Sequence, residues 1–241
     1  MIIWMRRIRQ RLVADSKFTK YMIYVIGEII LIVIGILIAL SIDTWNSNRM
    51  ESNTEIALLK EMKNNLAVDL EDTRLNIEIN KMSHMSNTLV LESLAHPEKQ
   101  IDSLGYFYAH LTLSTILDVN NTSYESLQSL GFHTIKNDSL RIKITELYSI
   151  TYEFLAKMEN VIYSIQMDKV TPLVISNIIT DIPYISARPV NPEALSKNHE
   201  FIETLKLSRQ WFLFMISLYE DAEHHIVALI NMIDKEIENR E

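Results

Sequence analysis

The sequence predicts an all-α protein in which an N-terminal amphipathic and transmembrane helix is followed by an antiparallel bundle of long helices. Residues 21–42 are apolar apart from a single charged residue, Glu28. Apolar side chains then recur at spacings of three, four and seven in residues 52–95 and again in residues 198–241, as on one face of a helix. The chain of 241 residues contains only 4 Gly and 5 Pro, so it has few helix breakers.

Residues 1–20 are predicted to form a basic, amphipathic arm. Apolar residues alternate with arginines there, as in helices that lie in a membrane interface, and Trp4 is a candidate interface anchor. The arm carries six basic residues and one acidic residue. Because basic residues flank a span on its cytoplasmic side, the arm is predicted to be cytoplasmic. Residues 43–241 are then an exported, periplasmic helical bundle domain.

Residues 21–42 are long enough to cross a lipid bilayer, which is the first predicted partner. At about 1.5 Å per residue they reach roughly 33 Å, against a hydrocarbon core of about 30 Å. Tyr21 and Tyr24 at one end and Trp45 at the other fit the aromatic belts of the two interfaces. The alternative is a signal peptide cleaved near Ala39. Because a signal core normally has about 7–15 apolar residues, the length of this run favours a retained anchor.

Glu28 is the unusual residue of the span. At 100° per residue, Glu28, Gly35 and Ala39 lie within about 40° of one another on the helix surface. Small residues four apart allow helices to approach closely, so this face is predicted to contact another helix, in a homo-oligomer or in a membrane-protein partner. Two other interpretations stay open. The carboxyl reaches the nearby cytoplasmic interface and has no partner, or it acts as a proton relay.

The exported domain begins with a predicted long helix over residues 52–95. His96-Pro97 ends it, because the residue before proline disfavours the helical region. A shorter helix is predicted over residues 101–117. The predicted inward side chains of the long helix are Leu59, Met62, Leu66, Leu70 and Ile77, and carboxylates such as Asp69, Glu71 and Asp72 are predicted to be exposed and to provide solubility.

Capping signals divide the middle of the chain. Thr122 and Glu125 have capping-box spacing for a brief helix that Gly131 can close as a left-handed C-cap. Asn137 or Asp138 is predicted to cap a helix that runs to about residue 169. Residues 171–190 contain three prolines and are predicted to be a connector with a short extended piece. The predicted inward side chains are Leu140, Ile144, Leu147, Phe154, Met158, Val161 and Ile165.

The last helix carries the strongest periodic signal. Asn191-Pro192 gives an N-cap with proline at the first helical position of a short helix, and the last helix is predicted from about residue 198 to the end. Trp211 or Phe214 is a candidate for a second contact surface. The seam, at spacings of seven, is Leu205, Phe212, Tyr219, Ile226 and Ile233, with Met215, Ala222 and Leu229 between them.

The residues predict no enzyme, no metal and no cofactor. With no cysteine, thiol catalysis and thiolate metal sites are excluded. The best ionisable cluster, residues 220–225, pairs Glu220 with His224 and Asp221 with His225 at helical spacing, but no second copy completes a di-metal site. The chain has a net charge of −8 although its arm is basic, so the exported domain is strongly acidic. Such a domain repels a phosphate backbone, and nucleic acid is therefore not a predicted partner.

Two blocks resemble the domain-of-unknown-function family 6090, whose members are bacterial single-pass proteins. The first is KYMIYVIGEIILIVIGILIALSIDTWN at residues 20–46, and the second is TSYESLQSLGFHTIKNDSLRIKITELY at residues 122–148. The resemblance implies an inner-membrane protein with an exported helical domain, and it brings no known activity. Leu130 departs from the small residue typical there. The matching positions are Gly27, Glu28, Gly35, Trp45, Tyr124, Leu127, Gly131, Ile135, Leu140 and Tyr148.

The predicted function is therefore a membrane-anchored interaction or scaffold protein, a subunit of an inner-membrane assembly. One alternative is a sensory module that acts through a partner, since a cytoplasmic arm of 20 residues is too short for an output domain. The other is an accessory subunit of an ion-driven or proton-driven machine that uses Glu28.

Overall fold

The computed structural model describes residues 18–98 and 103–240. The predicted arm and its anchor Trp4 lie outside the described residues, apart from the first turn of the first helix. The all-α prediction is confirmed, with a single short hairpin in the described part of the chain. The helices are α1 Phe18–Ala95, α2 Leu104–Ala109, α3 Thr122–Leu130, α4 Asp138–Glu146, α5 Tyr152–Ile165, α6 Thr171–Asn177, α7 Pro192–Ser196 and α8 His199–Glu238, and the strands are β1 Ile178–Ile182 and β2 Ser186–Pro189.

The chain divides into two compact units, Met1–Glu55 and Ile56–Glu241. The helix α1, which begins in the first unit, is long and apolar enough to cross a membrane, and no residue of its most apolar stretch is buried in the chain. The helices predicted over residues 21–42 and 52–95 are one continuous helix of 78 residues. Residues 43–51 contain no glycine or proline, so nothing in the chain interrupts the helical hydrogen bonds between them.

In the second unit the predicted seam of α8 forms one wall of the core. It continues beyond the five heptad positions at alternating spacings of three and four, as a helix packed against others requires. Ser208 is the one polar member of the seam. The buried residues of α8 are Phe201, Leu205, Ser208, Phe212, Met215, Ile216, Tyr219, Ala222, Ile226, Leu229, Ile233 and Ile237.

Two π-turns interrupt the helical segment after Asn137, which caps α4 by accepting from the Leu140 amide. They occupy Leu147–Thr151 and Gln166–Val170 and connect α4, α5 and α6. Each π-turn adds a residue to the turn, so the inward face after the first one moves on by one position. The inward assignment of Phe154 and Val161 is therefore wrong. Both are exposed, and their neighbours Leu155 and Ile162 are buried.

Three predictions about the loops are also wrong. The helix predicted over residues 101–117 covers only Leu104–Ala109 among the described residues. No capping box forms, because Thr122 is the first helical residue of α3 and Asn121 occupies the N-cap without a side-chain hydrogen bond. Gly131 has the expected positive φ of 95°, but its ψ of 141° lies outside the left-handed helical region.

The predicted connector over residues 171–190 is more regular than expected. The helix continues to Asn177, with Pro172 in the first turn of α6, directly after the second π-turn. The extended piece is an antiparallel hairpin that pairs Ile178 with Pro189. The N-cap predicted at Asn191 is confirmed, and Asn198 caps α8 in the same way, since each side chain accepts a hydrogen bond from the backbone amide three residues on.

Candidate functional site

The buried face of α1 carries an unusual run of polar residues. Leu59, Met62 and Leu66 begin a core-facing seam at spacings of three and four. The next positions at the same spacing hold polar residues that are almost fully buried, and the last two positions of the series are the apolar residues Val90 and Leu94. We call these positions the polar seam: Asp69, Thr73, Asn76, Asn80, Ser83 and Asn87. The prediction that Asp69 lies on an exposed stripe is therefore wrong, while its neighbour Glu71 is exposed as predicted.

Residues 113–121, which form no helix or strand, lie along the polar seam, and we call them the strap. Ser83 Oγ donates to the Leu113 carbonyl at 3.2 Å, and Thr115 Oγ1 donates to Asn76 Oδ1 at 2.5 Å. Further along, the Asp118 amide donates to Asp72 Oδ2 at 2.9 Å. Asp72 is half-buried and accepts from the strap, so it makes a structural contact in addition to the solubilising role predicted for it.

The strap runs antiparallel to α1 in an extended conformation. Its end is fixed by the Asn120 amide, which donates to Asp69 Oδ1 at 3.0 Å, and by Asn65, whose side chain donates to Thr122 Oγ1 at 2.9 Å. From Ser83 to Asn65 the helix rises about 27 Å, which the strap covers at about 3 Å per residue, close to the reach of an extended chain. Buried and half-buried side chains of α1 thus supply hydrogen bonds that a neighbouring strand would otherwise give.

Asp69 is the most buried carboxyl of this arrangement. Its Oδ1 accepts from the strap and its Oδ2 accepts from the Tyr152 hydroxyl at 3.0 Å. Burial raises the pKa of Asp69 above its ordinary value, because the charged form loses its hydration. The two hydrogen bonds act in the opposite direction, and the nearby charges of Asp72 and Asp118 raise the pKa further.

Glu159 of α5 is the second buried carboxyl. A single oxygen, Oε1, accepts from the Leu117 amide at 2.8 Å and from the Tyr219 hydroxyl of α8 at 2.6 Å. Burial raises the pKa of Glu159, and the two hydrogen bonds only partly offset it. The pKa of Tyr219 is also raised, first by burial and then by its hydrogen bond to Glu159, so the phenol keeps its proton.

A cleft of about 500 Å³ opens between the strap, α3 and α5. Its aromatic wall is a tyrosine cluster: Tyr124 and Tyr148 stack with ring centres 4.4 Å apart, and Tyr152 meets Tyr148 edge-on at 5.3 Å. We call it the tyrosine cleft. The residues that line it are Leu117, Asp118, Val119, Asn121, Tyr124, Glu125, Gln128, Tyr148, Tyr152, Glu153 and Ala156.

The Tyr148 hydroxyl is buried beside this cleft without a normal hydrogen bond. The ring is 5% exposed, and its oxygen has no partner of good geometry among the described residues. Burial is the main reason that the pKa of Tyr148 lies above its ordinary value, and the negative charge of Asp69 acts in the same direction. Ser123 acts in the opposite direction, through a contact that falls short of normal hydrogen-bond geometry.

The residues predicted to form the transmembrane contact lie on the exposed part of α1. Glu28, Gly35 and Ala39 are all exposed in the single chain, and a Cβ built at Gly35 meets no atom within 4 Å. Tyr24 is 40% exposed and Trp45 is 64% exposed, while Tyr21 is half-buried. The contact face and the interface anchors therefore stay predictions.

The ionisable cluster of residues 220–225 forms ordinary surface pairs. His225 lies 3.6 Å from Asp221 on the same helix, and Glu223 accepts from Arg74 at 2.6 Å. Within residues 18–98 and 103–240, no group of three or more histidine and carboxylate side chains is arranged to hold a metal ion. Nearby, Trp211 is half-buried and Phe214 is 40% exposed.

Comparison with known proteins places the chain in a family. The model of DUF6090, a family of unknown function, matches residues 28–174. The chain belongs to DUF6090. No curated protein and no solved structure matches it. The region matched to DUF6090 contains the polar seam, the strap and every residue that lines the tyrosine cleft, whereas Tyr219 and the rest of α8 lie after it.

Sequence reasoning missed the strap and both buried carboxyls of this DUF6090 protein, although one signal was present. The spacing of three and four that begins at Leu59 continues without a break through Asp69 to Leu94. When a spacing of three and four continues along a helix but polar residues take the place of apolar ones, it indicates a buried polar face whose groups have hydrogen-bond partners. Glu159 had no such signal, because the π-turn moved the inward face onto it.

Proposed function

We propose that this DUF6090 protein is a membrane-anchored helical-bundle protein that acts as an interaction or scaffold subunit of an inner-membrane assembly. The observation that carries the proposal is the first part of α1. The apolar side chains of residues 26–42 are all exposed, in a helix that is long enough to cross a bilayer. A bare helix with so much exposed apolar surface requires lipid or other helices around it.

The proposed orientation places the N-terminus in the cytoplasm and the bundle in the periplasm. Six basic residues before the span and the aromatic residues at its two ends support this topology. A reporter that is active only in the periplasm, fused after Glu241, is expected to be active, and a cytoplasmic reporter at the same site is expected to be silent. The opposite pattern, or a mature N-terminus near Ile42, would contradict the proposal.

The interaction role is tested by purifying the full chain in a mild detergent and identifying what accompanies it. The proposal expects a defined homo-oligomer or a stoichiometric membrane-protein partner. A monomer that carries only lipid and detergent would contradict it. A transporter-like partner would instead favour the accessory role that uses Glu28.

A sensory module is the second candidate, and the tyrosine cleft is the observation that favours it. The cleft has the volume of a small-molecule site, and α1, which contains the apolar run, also supplies the carboxylates that hold the strap. A signalling protein that co-purifies with the chain would favour this role over the scaffold.

A further inference from the structure

We propose that the tyrosine cleft binds a small organic ammonium ion. The inference concerns the second unit alone and does not depend on the membrane anchor. It follows from the size of the cleft, its aromatic wall, the charge of its rim and the side-chain amides that line it.

The first step is size and composition. A cleft of about 500 Å³ falls within the range of about 300–1,000 Å³ that is typical of small-molecule sites. Tyr124, Tyr148 and Tyr152 give it an aromatic wall, and Leu117 and Val119 of the strap add apolar surface. Aromatic rings attract cations through the negative electrostatic potential of their faces, so such a wall suits an alkylated ammonium group.

The second step is charge. Asp118, Glu125 and Glu153 bring three carboxylates to the cleft, and its lining contains no lysine or arginine. Within the described residues, neither Asp118 nor Glu125 forms an ion pair, and Glu153 has only a weak one, to exposed Lys157 at 3.6 Å. Such a rim raises the local concentration of cations and repels anions.

The third step separates an organic cation from a metal ion. The carboxylates of the cleft are not grouped closely enough to hold a metal ion among the described residues. A metal ion also prefers several oxygen ligands at short range, whereas this cleft offers carboxylates around an aromatic and apolar wall. An ammonium ion with alkyl substituents uses both features at once.

The fourth step is the pair of side-chain amides. Asn121 and Gln128 both line the cleft. Their amide groups can donate to, or accept from, a hydroxyl or amine of the ligand, so the site fits an ammonium ion with a second polar group.

Choline and a neutral molecule of the same shape, 3,3-dimethylbutan-1-ol, test the proposal. Equilibrium dialysis of radiolabelled choline against the full chain in dodecyl maltoside should show saturable binding of one choline per chain. We expect the neutral isostere to compete at least about tenfold less well, because it lacks the charge that the rings and carboxylates attract. Putrescine should compete as a second small ammonium ion, and added salt should weaken the binding.

Exposed rim residues give variants that keep the fold. Glu125→Gln and Glu153→Gln should each weaken choline binding about threefold to tenfold, since each removes one nearby charge. Glu220→Gln, an exposed carboxylate of α8 outside the cleft lining, is the matched control and should leave binding unchanged. Tyr124→Phe keeps the ring and should retain binding, whereas Tyr124→Leu removes it and should abolish binding.

The circular dichroism spectrum of each variant should match that of the wild type. If Tyr124→Leu fails to fold, the rim variants decide the question alone. Equal competition by choline and its neutral isostere would overturn the proposal in favour of a neutral ligand. It would also be overturned if neither choline nor putrescine bound saturably below ~10 mM, or if Glu220→Gln weakened binding as much as the rim variants.

Discussion

The Tyr219 hydroxyl donates a hydrogen bond of 2.6 Å to Glu159 Oε1 in the interior of the second unit. The same oxygen accepts from the Leu117 amide at 2.8 Å, so one carboxyl connects α8, α5 and the strap. Both side chains are at most 5% exposed. A hydrogen bond to a buried acidic group counts for more than one at the surface, because water cannot replace the donor when it is removed.

Tyr219→Phe should lower the free energy of unfolding by about 1–3 kcal/mol. The variant keeps the buried ring and removes only the donor to Glu159. Tyr163→Phe is the matched control, since Tyr163 is 51% exposed on α5 and should tolerate the change. Urea unfolding followed by circular dichroism in dodecyl maltoside measures both. Equal effects of the two substitutions would show that the hydroxyl of Tyr219 contributes nothing specific.

The raised pKa of Glu159 predicts an unusual dependence of stability on pH. Between the ordinary pKa of 4.5 and the raised value, the folded chain holds the Glu159 proton more tightly than the unfolded chain does. The contribution of Glu159 to the stability of the fold is therefore complete below pH 4.5 and is lost as the pH rises through the pKa that Glu159 has in the folded chain. The stability of the wild type relative to Glu159→Gln should accordingly increase as the pH falls from neutrality.

Glu236 provides a control of opposite sign for that measurement. A hydrogen bond of 2.6 Å from the side-chain amide of Asn137 is the main reason that the pKa of Glu236 is lowered, and Arg240 lowers this pKa further. The contribution of Glu236 is present at neutral pH and lost as the pH falls through its folded pKa. The stability of the wild type relative to Glu236→Gln should therefore decrease on acidification. If the stability difference from the wild type changed with pH in the same direction for Glu159→Gln and Glu236→Gln, the opposite pKa shifts of the two carboxyls would be contradicted.

The strap should loosen when Asp69 loses its carboxylate. Asp69→Ala removes the acceptor of the Asn120 amide, so that amide should exchange with solvent about tenfold faster, equivalent to about 1.4 kcal/mol. Asp69→Asn keeps one oxygen acceptor and should have a smaller effect. Glu71→Ala, an exposed carboxylate two residues away, is the control and should change nothing. Hydrogen exchange that is unchanged at Asn120 in Asp69→Ala would mean that the bond is not needed to hold the strap.

The parts of the fold that could be predicted are those in which one pattern determines one face. The seam of α8 kept its apolar character at spacings of three and four, so Phe212 and Tyr219 were placed in the core correctly. The strap could not be found in this way. Its hydrogen bonds go to side chains of α1 and α5 rather than to a regular ladder, and no periodic pattern in residues 113–121 marks such partners.

The π-turn at Leu147–Thr151 explains a second failure. A helical pattern read through this turn assumes 3.6 residues in every turn, but a π-turn contains an additional residue. The error therefore passes to later positions, so that Phe154 is expected inward instead of Leu155 and Val161 instead of Ile162. The buried carboxyl was hidden from sequence reasoning by this shift rather than by any ambiguity in its own neighbours.

Adjacent residues of α5 test the shifted register directly. Leu155 is 2% exposed and Phe154 is 47% exposed. Leu155→Ala should lower the free energy of unfolding by about 2–5 kcal/mol, as for other core leucines, and Phe154→Ala should cost much less despite removing a larger side chain. Urea unfolding under identical conditions compares the two. If Phe154→Ala lowered the free energy of unfolding more than Leu155→Ala does, Phe154 would be the core residue, as expected for a helix without the π-turn.

The last prediction concerns the face of α1 that carries Glu28, Gly35 and Ala39. If this face meets another helix, Gly35→Leu should weaken association of the full chain in detergent, because a leucine fills the groove that close approach requires. Gly27→Leu is the matched control. Gly27 lies about 80° around the helix from Gly35, and neither glycine has an atom within 4 Å of an added Cβ in the single chain. Only Gly35→Leu should therefore change the oligomeric state.

Glu28→Gln separates the contact from proton transfer on the same face. The variant keeps the shape and one oxygen of the side chain but cannot titrate, so association should be largely retained. Light scattering coupled to size-exclusion chromatography measures the association of all three variants. A growth defect of Glu28→Gln with unchanged association would favour a proton relay over a scaffold contact. If Gly35→Leu and Gly27→Leu both left the oligomeric state intact, the face would be in contact with lipid, and the carboxyl would have no protein partner in the bilayer.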